Sequence, residues 1–213
     1  SDVYKRQLVV GANGQIGRQF CQLAQDAAVP FRAMVRSTEQ QAWFRERGMD
    51  TVLADLEGDL DHAFDGCDQV LFTAGSGPHT GADKTLLIDL HGAMRVADLA
   101  KSKGLSRYIM VSALRADDPL RAPEKLRPYM AAKKAADDYL KNRDVPYVIL
   151  KPGRLTDDAA TGRVATSVEE AGDNVVSRAN VAVALLYLVR TRSLVNREFG
   201  LLDGTKTPEE ALV

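Results

Sequence analysis

The stretch Leu8-Val9-Val10-Gly11-Ala12-Asn13-Gly14-Gln15-Ile16-Gly17 constrains this chain more than any other. A short apolar run closed by glycine, with Ile16, Phe20, Leu23, Ala24 and Ala27 recurring behind it at helical spacing, reads as a strand turning directly into a helix. Glycines at such a turn permit a sharp reversal and a close backbone approach, and the free N–H groups of the helix start favour an anion. The spacing is GxxGxxG. In this strand-turn-helix setting it predicts a dinucleotide pyrophosphate held by Gly11, Gly14 and Gly17, with Asn13, Gln15 and Ile16 completing the turn.

The same scheme continues along the chain. Phe31 to Val35 reads as a strand, Thr38 to Arg47 as a helix stopped by Gly48, and Thr51 to Ala54 and Gln69 to Thr73 as strands. A long helix is expected from Ala82 to Gly104, with Leu87, Leu90, Met94 and Ala97 on one face, and Tyr108 to Val111 as the next strand. Pro119, Pro123 and Pro128 mark Arg115 to Pro128 as a loop ahead of an Ala-rich helix over Met130 to Asn142, entered at Tyr129. Tyr147 to Leu150, an apolar helix over Arg178 to Arg190, and a last strand over Phe199 to Leu202 close the pattern, while Lys151 to Asp173 has no clear period. Strands alternating with helices predict an α/β, Rossmann-type doubly wound parallel sheet, because each right-handed crossover carries a helix over the sheet. One domain over residues 8–213 is expected, with substrate-capping elements within 151–213.

Several classes are excluded. Twenty-eight Lys and Arg against 29 Asp and Glu give a net charge of -1, which provides no overall pull toward nucleic acid. No apolar run approaches the roughly 20 residues that span a bilayer. Cys21 and Cys67 stand far apart, His62, His79 and His91 are scattered, and neither zinc ligation nor a disulfide framework is expected. A cytoplasmic protein acting on a small molecule, without nucleic acid or membrane, as monomer or homodimer, is the expectation. Residues 1–7 are polar, and Asp2-Val3-Tyr4-Lys5-Arg6-Gln7 matches the in-frame translation of a transposase adapter used in sequencing libraries, so this segment is read as a non-native scar.

The end of the second strand selects among dinucleotides. An acidic residue there would read a ribose 2′-hydroxyl and favour NAD; Arg36, with Ser37 beside it, instead matches a 2′-phosphate, so NADP(H) is the expected cofactor and NAD(H) the second choice. Asp55 and Leu56, at the end of the third strand, are placed to accept from the adenine amino group and to pack on its ring. Trp43 and Phe44 read as packing residues. The pairs Lys133–Asp137 and Lys134–Asp138 read as i, i+4 partners on a solvated helix face.

The chain resembles the short-chain dehydrogenase/reductase superfamily, and within it the atypical NAD(P)H-binding branch that looks like a shortened epimerase/dehydratase. Besides the glycines, the matching segments are Thr73-Ala74-Gly75, Thr80 to Thr85, Val111-Ser112, Tyr129-Met130-Ala131-Ala132-Lys133, Lys151-Pro152-Gly153 and Ser177 to Ala182. The resemblance implies a seven-stranded sheet with cofactor along its carboxyl edge, touched by Ala74, Gly75, Pro152 and Gly153. It also implies Tyr129 as acid/base, Lys133 as the group that lowers its pKa and binds the nicotinamide ribose, and Ser112 as the hydroxyl orienting the substrate oxygen. Two positions depart from the pattern: Ala113 follows Ser112 where relatives often carry a second serine, and Asp89 stands where relatives outside the branch often place Asn.

The reading is an NADP-dependent oxidoreductase transferring hydride between the nicotinamide and a small carbonyl, quinone or flavin-like acceptor. A non-catalytic NAD(P)-binding redox sensor or partner-binding protein, and a nucleotide-sugar epimerase or dehydratase, are the alternatives.

Overall fold

A computed structural model of the chain describes residues 6–213. Strand β1 (Gln7–Val10) runs into α1 (Gln15–Asp26), and the alternation continues through β2 (Phe31–Val35), α2 (Thr38–Arg45), β3 (Thr51–Leu53) and β4 (Gln69–Phe72). The next helix starts as α3 (Ala82–Lys84), widens into π-helical turns over Thr85–Gly92 and continues as α4 (Ala93–Ser102). After β5 (Arg107–Val111), α5 (Arg127–Lys141) and β6 (Tyr147–Pro152) come the short elements β7 (Arg154–Thr156), β8 (Val164–Ala165), α6 (Val168–Ala171) and β9 (Val175–Ser177). The chain closes with α7 (Arg178–Arg190), β10 (Arg197–Asp203) and α8 (Pro208–Ala211).

The main sheet has the order β3-β2-β1-β4-β5-β6-β10-β8. Seven of these strands are parallel, as expected, and β8 adds an antiparallel pairing on β10 through Leu202 and Ala165. Chain order reverses between β1 and β4, which opens a crevice at the carboxyl ends of those strands.

Alternate residues of each strand feed two cores, which is why the strands read as unbroken apolar runs. On one face Val9, Leu71, Ile109 and Val148 pack with Phe20 and Ala24 of α1 and Val181, Leu185 and Leu188 of α7. On the other, Val10, Val70, Phe72 and Met110 pack with Val96 and Ala100 of α4 and Ala136 and Leu140 of α5. At the opposite sheet edge from the crevice, Arg107 is fully buried and donates to the carbonyls of Leu188, Thr191 and Leu194, capping the end of α7. Its remaining bond goes to Gln69 Oε1 at 2.6 Å.

Boundaries move in three places. Of the segment read as a scar, residues 1–5 lie outside the described residues, whereas Arg6 pairs with Asp50 at 2.8 Å and Gln7 is a buried strand residue bonded to Gln69. Helix α5 begins at Arg127, earlier than expected, with Pro128 in its first turn, where a missing N–H costs nothing. The stretch after Lys151, which has no sequence period, is ordered by single side chains. Asn180 is fully buried, accepts from the backbone N–H groups of Thr161 and Gly162, and donates to Asp203 Oδ1 at 2.7 Å.

A Cβ at Gly17 would lie 2.3 Å from the Gly11 carbonyl oxygen and 2.7 Å from that of Ala12, both backbone atoms that cannot step aside. Gly17→Ala is therefore expected to lower unfolding stability by about 2–3 kcal/mol, read by chemical denaturation.

Candidate active site

The crevice holds a cavity of about 330 Å³. Its floor is the glycine turn, and the three glycines do different work. Gly11 has φ +80°, and a Cβ there would lie 2.4 Å from the Ala74 backbone nitrogen, so this position is fixed by the turn and by β4. Gly17 is fixed by helix packing, as above. Gly14 is not needed by the protein: its nearest neighbour to an added Cβ is 3.4 Å away, and it lines the cavity as the N-cap of α1 with no side-chain cap. The first turn of α1 carries no acidic residue, so its free N–H groups and positive dipole end face the cavity uncompensated. A diphosphate fits that space. Asn13 also lines it, and its Oδ1 accepts from Arg18 Nε at 3.1 Å and Nη2 at 2.6 Å, which leaves the amide N–H₂ as a donor. Gln15, Ile16 and Gly17 do not line the cavity; Ile16 packs on the core.

The far end of the cavity is formed by Arg36, Gln40, Asp55 and Leu56. Arg36 is exposed and makes no ion pair among the described residues, while its backbone N–H donates to Gln40 Oε1 at 3.0 Å. Ser37 lies outside the lining. Its hydroxyl accepts from Gln40 N at 3.2 Å as the N-cap of α2. Asp55 uses one oxygen to accept from Glu57 N at 2.9 Å, its other oxygen makes no hydrogen bond among the described residues, and Leu56 is buried against Gly92. Lys84 reaches from α3 to Glu57 at 2.8 Å and ties the rims together. Trp43 packs edge-on against Phe44 and under the Arg18 guanidinium, 4.4 Å from the ring centroid.

Ala74 and Gly75 line the cavity as expected, and Thr73 fixes them by donating its hydroxyl to the Val10 and Gly11 carbonyls. Pro152 and Gly153 do not line it. The space beside Gly153 is filled by the protein, with Leu202 and Asn174 at 2.5 and 2.7 Å from an added Cβ, so this glycine answers to packing.

Beyond Gly75 and Ser76 sits a buried polar group that joins the cavity to α5. Asp89, fully buried in the π-helical turns, accepts from Ser76 N at 3.2 Å through Oδ2 and has no partner for Oδ1. Tyr129 and Lys133 stand one turn apart on α5. Lys133 is 1% exposed, and its Nζ donates to the Val111 carbonyl at 2.8 Å. Burial pushes the Lys133 ammonium down, against the opposing pull of Asp89 and Asp137. The Tyr129 hydroxyl makes no hydrogen bond among the described residues. Burial, then the carboxylates Asp89 and Asp137, pushes its phenol above the ordinary tyrosine value, the reverse of the lowering that the resemblance implies. Burial is the larger cause, and the two carboxylates add to it.

Ser112 makes no hydrogen bond to Tyr129 among the described residues. Its hydroxyl donates to Asp137 Oδ2 at 2.7 Å, and the residue sharing an apolar cluster with Tyr129 is Ala113. Asp137 is a buried carboxylate near Tyr129 that the sequence reading placed on a solvated face. Only Lys134–Asp138, at 3.5 Å, forms the solvated pair; Lys133 and Asp137 are both buried. The signal was present: 129, 133 and 137 follow i, i+4, i+8 beside Met130, Ala136 and Leu140, so they share the inward side of α5.

Fold and site together define an NAD(P)-binding protein of the atypical, epimerase-like short-chain dehydrogenase/reductase branch. The chain belongs to the NAD(P)H-binding family, whose model matches residues 11–192. It is 41% identical over 208 residues to the uncharacterized sugar epimerase YhfK of Bacillus subtilis, covering 96% of this chain and 97% of that one. A solved structure from Bacillus halodurans, described as an NAD-dependent epimerase/dehydratase, superposes with a TM-score of 0.90 at 41% identity, covering 96% and 97% of the two chains. ChuY, an anaerobillin reductase from Escherichia coli O157:H7, shares the fold at a TM-score of 0.75 and 23% identity, covering 93% and 97%.

Because Gly14 leaves room that no protein atom uses, Gly14→Ala is expected to change stability by no more than about 1 kcal/mol while weakening NAD(P)H binding at least about tenfold. Denaturation and cofactor titration on one preparation measure the two effects.

Proposed function

We propose that the protein is an NADPH-dependent reductase of a small conjugated acceptor, a carbonyl, quinone or flavin-like compound. One observation carries the reading: a single cavity has the uncapped glycine start of α1 at one end and Arg36, in no ion pair among the described residues, at the other. A guanidinium in that place favours a 2′-phosphate over a 2′-hydroxyl. When bound, the reduced nicotinamide supplies hydride.

The chain's own part is to manage the proton. Burial and two carboxylates keep the Tyr129 phenol protonated through the neutral range, so Tyr129 is suited to donate a proton to an acceptor that is gaining hydride. The name of the Bacillus subtilis relative suggests an epimerase as the second reading. With Ser112 turned to Asp137, no hydroxyl of the β5 end holds an acceptor oxygen beside Tyr129, which favours a delocalised acceptor over a simple ketone. An NAD(P)H azoreductase from Xenophilus azovorans, 30% identical over 118 residues, acts on an acceptor of that kind, and the match covers 54% of this chain and 38% of that one.

Calorimetric titration with NADPH and NADH tests the cofactor. Arg36→Ala is expected to weaken NADPH about 10- to 100-fold and NADH by less than about threefold; equal losses for both would remove the 2′-phosphate role.

Tyr129→Phe tests the proton donor. It is expected to lower NADPH-linked quinone reduction about 100-fold with cofactor affinity unchanged. Full activity in that variant would mean that hydride transfer alone suffices. Absence of turnover in the wild type, with NADPH bound, would favour the redox-sensor alternative.

A further inference from the structure

The turn that follows β3 is held in place from outside. Strand β3 has three residues and lies at the edge of the main sheet, paired there with β2 alone. The residues just beyond it, Asp55, Leu56 and Glu57, nevertheless form part of the cavity wall. Asp55 closes the turn on itself: Oδ1 accepts from Glu57 N at 2.9 Å, and its carbonyl accepts from Gly58 N at 2.9 Å. Those bonds shape the turn but do not fix it against the cavity.

The helix running from α3 into α4 does that with three residues. A Cβ at Gly92 would lie 3.1 Å from Leu56 Cδ1, so the helix backbone packs directly on the Leu56 side chain. One turn further, Arg95 donates from Nη1 to the Leu56 carbonyl at 2.5 Å and from Nη2 to the Gly58 carbonyl at 2.7 Å. Lys84 bonds both oxygens of Glu57, at 2.9 and 2.8 Å. That ion pair stands at the rim, where water screens it, so Arg95 is the main anchor. A planar fork of donors on two carbonyls of one turn sets the tilt of the turn as well as its position. Arg95 itself does not line the cavity, and it makes no ion pair among the described residues. What its grip presents to the cavity is Asp55, with one carboxylate oxygen still unbonded.

We propose that Arg95 is a positioning residue for the adenine end of the cofactor: by holding the Leu56 and Gly58 carbonyls it aims the second oxygen of Asp55 at the exocyclic amino group. Recognition of the base then depends on a residue of α4 that does not touch the nucleotide. The inference rests on the NADPH reading above. An amino group donates to a carboxylate, whereas a carbonyl oxygen in its place sets acceptor against acceptor, so a well-aimed Asp55 distinguishes adenine from hypoxanthine.

The test is calorimetric titration of the full chain with NADPH and with reduced nicotinamide hypoxanthine dinucleotide phosphate, in which a carbonyl oxygen replaces the adenine amino group. The wild type is expected to bind NADPH at least about tenfold more tightly than the hypoxanthine form. Arg95→Met keeps an apolar stem and loses both donors; it is expected to weaken NADPH about tenfold and the hypoxanthine form by less than about twofold, so that the preference collapses. Arg95→Lys, which keeps the charge but not the fork, is expected to retain an intermediate preference, and it carries the test should chemical denaturation show Arg95→Met unfolded. Asp55→Ala is expected to abolish the preference, and Arg95→Met added to it to leave the ratio where Asp55→Ala put it. Equal losses for the two dinucleotides in the Arg95 variants, at an unchanged ratio, would mean that Arg95 only stabilises the turn and would overturn the proposal. A wild type that binds both equally would overturn it too. A wild type that binds neither NADPH nor NADH removes the cofactor reading itself, and the proposal falls with it.

Discussion

Everything in this molecule depends on how closely α1 approaches β1 and β4. The helix start sits against the strand because Gly17 has no side chain to strike the Gly11 and Ala12 carbonyls, and the turn fits under β4 because Gly11 has none to strike Ala74. The Thr73 hydroxyl then ties β4 to the Val10 and Gly11 carbonyls. With those elements locked, the strand order can reverse between β1 and β4, and the crevice opens where the N-terminus of α1 points. The cavity is a consequence of this packing. Gly14 alone among the three glycines is free of it, which is why that position reads on the ligand and its neighbours read on the fold.

The sheet was legible because burial on both faces writes itself into the sequence as apolar runs, such as Leu8-Val9-Val10 and Val70-Leu71-Phe72, separated by helices of clear period. The region after Lys151 was not, since its order comes from single polar side chains reaching across the chain, as Asn180 does to Thr161 and Asp203, and such bonds have no period. The start of α5 was misplaced for a related reason. A proline reads as a breaker, yet in the first turn of a helix it breaks nothing.

The site divides along the same line. Gly11, Gly14 and Arg36 were read from position alone, and the structure gathers them at one cavity. Residues whose role depends on the direction of a side chain were not. Ser37 faces its own helix cap and Ser112 faces Asp137, while the space beside Gly153 is taken by Leu202 and Asn174. In a strand the side chain reverses face at every residue, so spacing cannot tell whether Ser112 or Ala113 meets Tyr129. Asp137 escaped because an i, i+4 acid–base pair is the ordinary mark of a solvated face, and only the apolar neighbours of Lys133 could have shown that this one turns inward.

The buried charges show what kind of site this is. Arg107 is enclosed without a carboxylate partner among the described residues, yet its donors reach Gln69 and three carbonyls at the end of α7, so the charge is bound to structure. The group around Lys133 is arranged differently. Asp89 and Asp137 each bind one donor and leave one buried oxygen empty, and the ammonium between them has one acceptor for its three protons. A cluster that served only stability would close those gaps with hydrogen bonds or replace the charges with apolar side chains, since half-satisfied polar groups in a core cost more than none. The unpaired oxygens of Asp89 and Asp137 near Tyr129 therefore mark a cluster that stability alone does not explain.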